Sequence, residues 1–224
     1  MKYKLIVFDW DGTLMDSQAR IVDCMRAAIL DTGLALPDDA RISEIIGLGL
    51  PEAVQRLLPD AHEAVMDRVI TRYRHHFLTE NRTVSPLFEG VEETLRQLTQ
   101  RGYLLAVATG KGRSGLERAL RETGLGGYFQ ATRCADECRS KPAPDMLDEI
   151  MDELGMFAPE TLMVGDTEYD LEMAANARTA ALAVGYGVHD RQRLLAHAPI
   201  ACVDDIREIP ALIDAEPETG KVAV

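Results

Sequence analysis

No apolar stretch in this chain is long enough to span a bilayer, and the apolar run near its start is short and interrupted by Asp9. Neither a transmembrane helix nor a secretory signal is expected. Positive charge is scarce: 24 Lys and Arg face 37 Asp and Glu, a formal net charge of -13. Nucleic acid and anionic membrane both need local positive potential and are not expected partners. Cysteine is limited to Cys24, Cys134, Cys138 and Cys202. Cys24 lies on an apolar helical stripe and Cys202 in a short apolar run, so both read as small core residues. Cys134-x-x-x-Cys138 has no second Cys/His pair at zinc spacing, which argues against a metal or redox centre there. A reduced, cytoplasmic setting is expected. Internal repeats and low-complexity segments are also missing. What is present is 224 residues with 46% hydrophobic content, enough for a globular core and a second small domain.

The most informative run is Phe8-Asp9-Trp10-Asp11-Gly12-Thr13-Leu14. It follows Leu5-Ile6-Val7-Phe8, an apolar run of the kind that forms a buried parallel strand. Two acids therefore arrive where that strand should end, and ligand sites of open α/β sheets lie at the carboxyl ends of strands. Gly12 lets the chain turn and lets backbone approach a ligand. Two carboxylates so placed can divide the work, one as nucleophile and one as acid/base; a strand end with two solvated turn acids is the alternative.

Two textures divide the rest of the chain. Beyond residue 103, the apolar runs Tyr103–Ala108, Phe129–Arg133, Thr161–Gly165, Ala180–Val184 and Ile200–Val203 read as strands. Helical patterns at 113–123, 144–154, 168–177 and 205–213 separate them. This alternation predicts an α/β fold with a parallel sheet flanked by helices. Residues 16–84 contain no good strand. Ile21, Cys24, Met25, Ala28 and Ile29 repeat at helical spacing, Gly33 supplies a stop, and Pro51 opens a further helix. A third pattern runs through Val65, Val69, Ile70, Tyr73 and Phe77. An all-helical insertion thus follows the first strand, expected to cover the site, with a lobe packed elsewhere as the alternative. The expected division is a core of 1–15 and 85–224 and a helical cap of 16–84. Glu216–Val224 is expected to fray.

Three further motifs end strands or open helices. Thr109-Gly110-Lys111 offers a hydroxyl and turn N–H groups that can hold phosphate oxygens, although a Thr N-cap reads equally well. Ser140-Lys141-Pro142-Ala143-Pro144 sets one Lys before two prolines that restrict the backbone around it; a surface Lys at a helix start is the alternative. Gly165-Asp166-Thr167-Glu168-Tyr169-Asp170 sets a second acid one helical turn after the first, where dipole effects alone also favour acids. His75-His76 lacks the i, i+4 spacing of a metal pair and reads as solvated surface. Gly47-Leu48-Gly49-Leu50 leads into the Pro51 helix. Two readings stay open there: a connector, or a loop whose N–H groups receive a substrate anion.

Taken in order, these four motifs resemble those of the haloacid dehalogenase (HAD) superfamily, in its Asp-x-Asp-Gly-Thr branch of phosphatases and phosphomutases. The resemblance covers nearly the whole chain and is similar in particular to the phosphoglycolate phosphatases. It implies a HAD-like Rossmannoid core with a C1-type cap, and hydrolysis of a small phosphomonoester. It implies Asp9 as nucleophile and Asp11 as acid/base, with Thr109, Gly110 and Lys141 on the phosphoryl oxygens. It places Mg²⁺ with Asp9, the Asp11 backbone carbonyl and Asp166, supported by Asp170, and puts Gly49 of the cap loop near the substrate. The charge argument agrees. Like charges at ~4 Å cost about 4 kcal/mol per pair at an effective dielectric of ~20, so Asp9, Asp11, Asp166 and Asp170 around a phosphate dianion need a divalent cation, and oxygen-only ligands suit Mg²⁺. The rivals are a β-phosphoglucomutase-like phosphomutase, a pyrophosphatase of the same fold, and a catalytically silent phosphate-binding module. The oligomeric state is left open.

Overall fold

A computed structural model describes residues 2–214; the expected C-terminal tail lies outside the described residues. Six parallel strands form one sheet: β1 (Leu5–Phe8), β2 (Leu104–Thr109), β3 (Ala131–Cys134), β4 (Thr161–Gly165), β5 (Ala180–Val184) and β6 (Cys202–Val203). Their order is β3-β2-β1-β4-β5-β6. Alternate residues of β1 serve opposite faces, as a pleated strand requires. Ile6 and Phe8 pack into one apolar layer, and Leu5 and Val7 into the other. All four are fully buried, which explains why β1 is apolar throughout rather than alternating.

The helices are α1 (Gln18–Asp31), α2 (Asp39–Ser43), α3 (Leu50–Leu57), α4 (Glu63–His75), α5 (Val91–Gln100), α6 (Arg113–Thr123), α7 (Asp145–Leu154), α8 (Glu168–Asn176), α9 (Arg191–Leu195) and α10 (Ile209–Asp214). Helices α5, α6 and α10 cover the face served by Ile6 and Phe8, through Leu95, Leu98, Leu116, Ile209 and Ile213. Helices α7 and α8 cover the other face, through Met146, Ile150 and Met173.

The chain runs from β1 to β2 and β3 on one side of the sheet, then returns to β4 on the other side of β1. The carboxyl end of β1 is therefore the point where strand order reverses, the place where open sheets hold ligands. Asp9 follows β1, Thr109 ends β2 and Asp166 follows β4.

Helices α1–α4, then one π-helical turn at His76–Glu80, occupy the stretch between β1 and α5. They have their own apolar centre, in which Met25, Ile29, Ile42, Val54 and Val69 are buried together. Tyr169 of α8 joins it, and its hydroxyl donates to the Glu44 carbonyl at 2.8 Å, tying the two parts together. Helix α1 ends as expected before Gly33, whose φ is +75°. Gly49 caps α3, with Pro51 in the first turn.

Several expectations shift. The expected strand 129–133 begins at Ala131, because Phe129 turns into the apolar layer beside Trp10. The last expected strand keeps only Cys202–Val203, and the expected helix 205–213 is a 3-10 turn at Ile206–Glu208 followed by α10. Helices α5 and α9 were not expected. The buried stripe of α5 is short (Val91, Leu95, Leu98), and α9 buries Leu194 alone. Among the described residues no helix is long and apolar enough to cross a membrane.

Candidate active site

Three strand ends and one loop build a single cluster. Asp9, the first residue beyond β1, is 1% exposed. Its Oδ1 accepts from Lys141 Nζ at 2.7 Å, and the same ammonium donates to Asp170 Oδ1 at 2.6 Å. The lone Lys before the prolines is thus a buried hub, and the alternative of a surface side chain does not apply: Lys141 is 1% exposed. Asp170 is fixed from behind by a capping box at the start of α8, since its Oδ2 accepts from the Thr167 hydroxyl at 2.7 Å and the Thr167 N–H at 3.1 Å. Asp166 accepts from the Thr13 hydroxyl and the Val188 N–H, both at 2.8 Å.

Gly12 makes this convergence possible. Its φ is +88°, and a Cβ there would lie 2.2 Å from Asp166 Oδ2. A larger residue would be strained in the left-handed region and would collide with the acid.

One carboxylate oxygen from each of Asp9, Asp166 and Asp170 lies within 4.8 Å of the other two, and all three residues are buried. Three carboxylates against one ammonium leave a formal charge of -2 when all are ionised. Burial raises the pKa of Asp9 to about 7; Lys141 opposes the shift and Asp170 adds to it. Burial, then Asp9 and Asp170, push Asp166 well above the usual carboxylate range. Burial would lower the pKa of Lys141, but Asp170 and Asp9 outweigh it and raise it. Asp9 Oδ2 is buried with no hydrogen-bond partner among the described residues. An unmatched oxygen, an excess of negative charge and an all-oxygen donor set fit a hard divalent cation.

Asp11 makes its side-chain bonds outside this triad. Its Oδ1 accepts from the Ser17 hydroxyl at 2.6 Å and its Oδ2 from Lys111 Nζ at 2.8 Å. The Lys111 ammonium also sits 4.7 Å from the centroid of the Phe77 ring. The Thr109 hydroxyl, fully buried, accepts from the Lys111 N–H at 3.2 Å.

Gly110 is the contact point for the loop before α3, because a Cβ there would lie 2.6 Å from the carbonyl oxygens of both Gly47 and Leu48. That loop presents carbonyls to Gly110, while the Leu48 N–H bonds to the Ile45 carbonyl. The Gly49 N–H donates to the Ser140 hydroxyl at 2.7 Å, and Gly49 does not line the cavity beside Asp9. At Leu48 and Gly49 the loop spends its donors on the protein, so the anion-receiving reading has no free N–H at those two residues. The connector reading gains the observation that the loop docks onto Ser140 and Gly110.

Sequence reasoning missed Thr13, Ser17, Thr167, Val188 and His189. Thr13 lies inside the first motif, but its partner Asp166 is 153 residues away; Ser17, at the N-terminus of α1, bonds Asp11 only six residues before it. His189 is 3% exposed, and its Nδ1 accepts from the Glu168 N–H at 3.0 Å. Burial, then Arg193, lowers its pKa. The unfolded chain therefore takes up a proton near pH ~6.5 that the folded chain refuses. His189 costs no stability above that pH and draws stability away as pH falls below it. The expected result is that melting temperature falls more between pH 7 and 5 for the wild type than for His189→Asn. Melting curves of the two proteins across that range check it, and parallel curves would contradict it.

Residues 6–184 match the family model of haloacid dehalogenase-like hydrolases. The chain belongs to that family. Within it the chain is a hydrolase of the phosphatase type, similar over nearly its whole length to phosphoglycolate phosphatases. It is 36% identical over 211 residues to the probable phosphatase IndB of Dickeya dadantii, covering 92% of this chain and 91% of that protein. It is 32% identical to a phosphoglycolate phosphatase of Cupriavidus necator, covering 93% and 92%. The crystal structure of a predicted phosphoglycolate phosphatase of Haemophilus somnus superposes with a TM-score of 0.87 at 24% identity, covering 96% of this chain and 99% of that one.

Proposed function

We propose that the protein is a Mg²⁺-dependent phosphatase of small phosphomonoesters that works through an aspartyl-phosphate on Asp9. The observation that carries this reading is the asymmetry of the acid pair. Both Asp9 and Asp11 line one cavity, yet Asp9 keeps an oxygen without a partner while both oxygens of Asp11 are engaged. Asp9 attacks phosphorus in line with the leaving oxygen. Lys141 holds the other oxygen of Asp9 and fixes the direction of attack. Asp11, oriented by Ser17 and Lys111, gives a proton to the leaving oxygen and later takes one from the water that hydrolyses the acyl-phosphate. The Thr109 hydroxyl and the Gly110 backbone are the candidates for the phosphoryl oxygens.

Asp9, Asp166 and Asp170 would hold the metal, with the Asp11 carbonyl completing the proposed set. When bound, Mg²⁺ neutralises charge that builds on the phosphoryl oxygens. Residues 16–84 act as the cap over a core of 1–15 and 85–224, closing the cavity against bulk water. The setting is cytoplasmic, in keeping with four free cysteines. Phosphoglycolate, named in several relatives, is the first small ester to try. A screen that adds sugar phosphates, nucleotides and pyrophosphate separates the phosphatase from its mutase and pyrophosphatase rivals.

Asp11→Asn tests the division of labour. An alkyl leaving oxygen needs its proton, whereas p-nitrophenolate departs without one. The expected loss in kcat is on the order of 10²–10⁴-fold for an alkyl phosphate and clearly smaller for p-nitrophenyl phosphate. Equal losses for both, with chemistry rate-limiting, would remove Asp11 from that role.

A further inference from the structure

We infer that the enzyme selects phosphomonoesters whose leaving group is apolar, an aliphatic chain or an aromatic ring, over phosphoglycolate. This rests on the phosphatase reading of Asp9 and Asp11. Their cavity has a volume of about 420 Å³, within the range of pockets that enclose small organic ligands. Asp9, Asp11, Thr109 and Gly110 form one end of it. Apart from Lys111, Arg74, Ser114 and Asp136, the side chains of the remaining wall are apolar, led by Ile21 and Met25 of α1, Ile45 and Ile46 before α3, Tyr73 of α4 and Phe77 of the π-helical turn.

The apolar wall starts directly beside the acid/base. Lys111 binds Asp11 and lies over the Phe77 ring, and Phe77 stacks on Tyr73 with centroids 5.7 Å apart and planes 22° apart. A leaving oxygen at Asp11 therefore hands its first carbons to an aromatic surface. Phosphoglycolate would put a carboxylate there, and that charge needs a cation or free N–H groups to replace its water. Of the cations that line the cavity, Lys111 is committed to Asp11, and Arg74, which has no bonded partner among the described residues, is exposed to solvent, where pairing with a carboxylate is worth little. In the loop before α3, two of the four N–H groups, those of Leu48 and Gly49, are bonded within the protein. An alkyl or aryl group needs no such partner and gains from leaving water.

The test is release of inorganic phosphate by the full-length enzyme with Mg²⁺ from the n-alkyl phosphates methyl to hexyl, from phenyl phosphate and from phosphoglycolate. The alkyl series holds leaving-group basicity nearly constant while adding apolar surface. The expected kcat/KM rises about fourfold per methylene until the cavity is filled, and both hexyl and phenyl phosphate exceed phosphoglycolate. Phe77→Ser should flatten the rise to below about twofold per methylene, and Ile46→Thr, a smaller change in shape, should lower it in the same direction. Release with a flat wild-type series, or with phosphoglycolate the best substrate, overturns the inference and leaves the phosphatase reading standing. An unchanged slope in a folded Phe77→Ser overturns the assigned wall and the inference with it. No release from any ester overturns the phosphatase reading and the inference together.

Discussion

Asp9→Asn is expected to abolish turnover, with a loss on the order of 10⁴-fold or more, while the protein keeps its fold. An amide cannot form the acyl-phosphate, so the loss should be similar for good and poor leaving groups. The fold should survive because the change is nearly isosteric and Lys141 keeps Asp170 as its second partner at 2.6 Å. Steady-state kinetics, circular dichroism and a melting curve check both halves. Wild-type turnover by Asp9→Asn, with deamidation excluded by mass spectrometry, would contradict the assignment of the nucleophile.

Lys141→Met should have the largest effect on stability. The substitution keeps the unbranched stem of the side chain up to its last atom but removes the only ammonium that bonds the Asp9–Asp166–Asp170 cluster among the described residues. Breaking a buried ion pair from one side costs about 3–5 kcal/mol, because the remaining charge stays buried without compensation. For a chain of this size that corresponds to a fall of about 6–20 °C in melting temperature. Mg²⁺ should then raise the melting temperature of Lys141→Met by more than it raises that of the wild type, since the cation replaces the missing charge. Calorimetry with and without Mg²⁺ measures both quantities. A shift below about 3 °C would show that the acids neutralise themselves by protonation, and that the ammonium is not what holds the cluster together.

What the sequence reveals of this site follows from how local each signal is. Asp9, Thr109 and Asp166 were legible because each ends an apolar run, and the parallel sheet brings the ends of β1, β2 and β4 side by side. Lys141 was legible through its prolines, but its burial was not, since no local pattern says which way a loop Lys points. Asp170 was legible as an acid one helical turn after Asp166, and the fold sets it beside Asp9 and Asp166. Its capping box with Thr167 explains why an acid stands there, and why it is held at a fixed angle. The bonds Ser17–Asp11 and Lys111–Asp11 span 6 and 100 residues, so only the second required the fold. The helical insertion was legible, but not that its apolar stripes line the cavity. Ile21, Met25, Tyr73 and Phe77 read as ordinary helix core at helical spacing, and the spacing is the same whether a stripe meets another helix or a cavity. At the loop Gly47–Leu50 the two readings stayed open for a related reason: a glycine pair before a helix shows that donors can be free, while only the fold shows that Ser140 takes the Gly49 N–H.

A covalent bond between phosphorus and Asp9 is the core of the proposed mechanism, and chemical trapping tests that bond most directly. The enzyme is quenched in acid during turnover of its best phosphomonoester with Mg²⁺, reduced with borohydride, digested and sequenced by mass spectrometry. Borohydride converts an aspartyl-phosphate to homoserine and leaves a free carboxylate untouched. The expected result is homoserine at position 9, dependent on substrate and absent from Asp9→Asn. Substrate-dependent conversion at Asp11, Asp166 or Asp170 instead, or no conversion anywhere while a phosphate burst is observed, would contradict it.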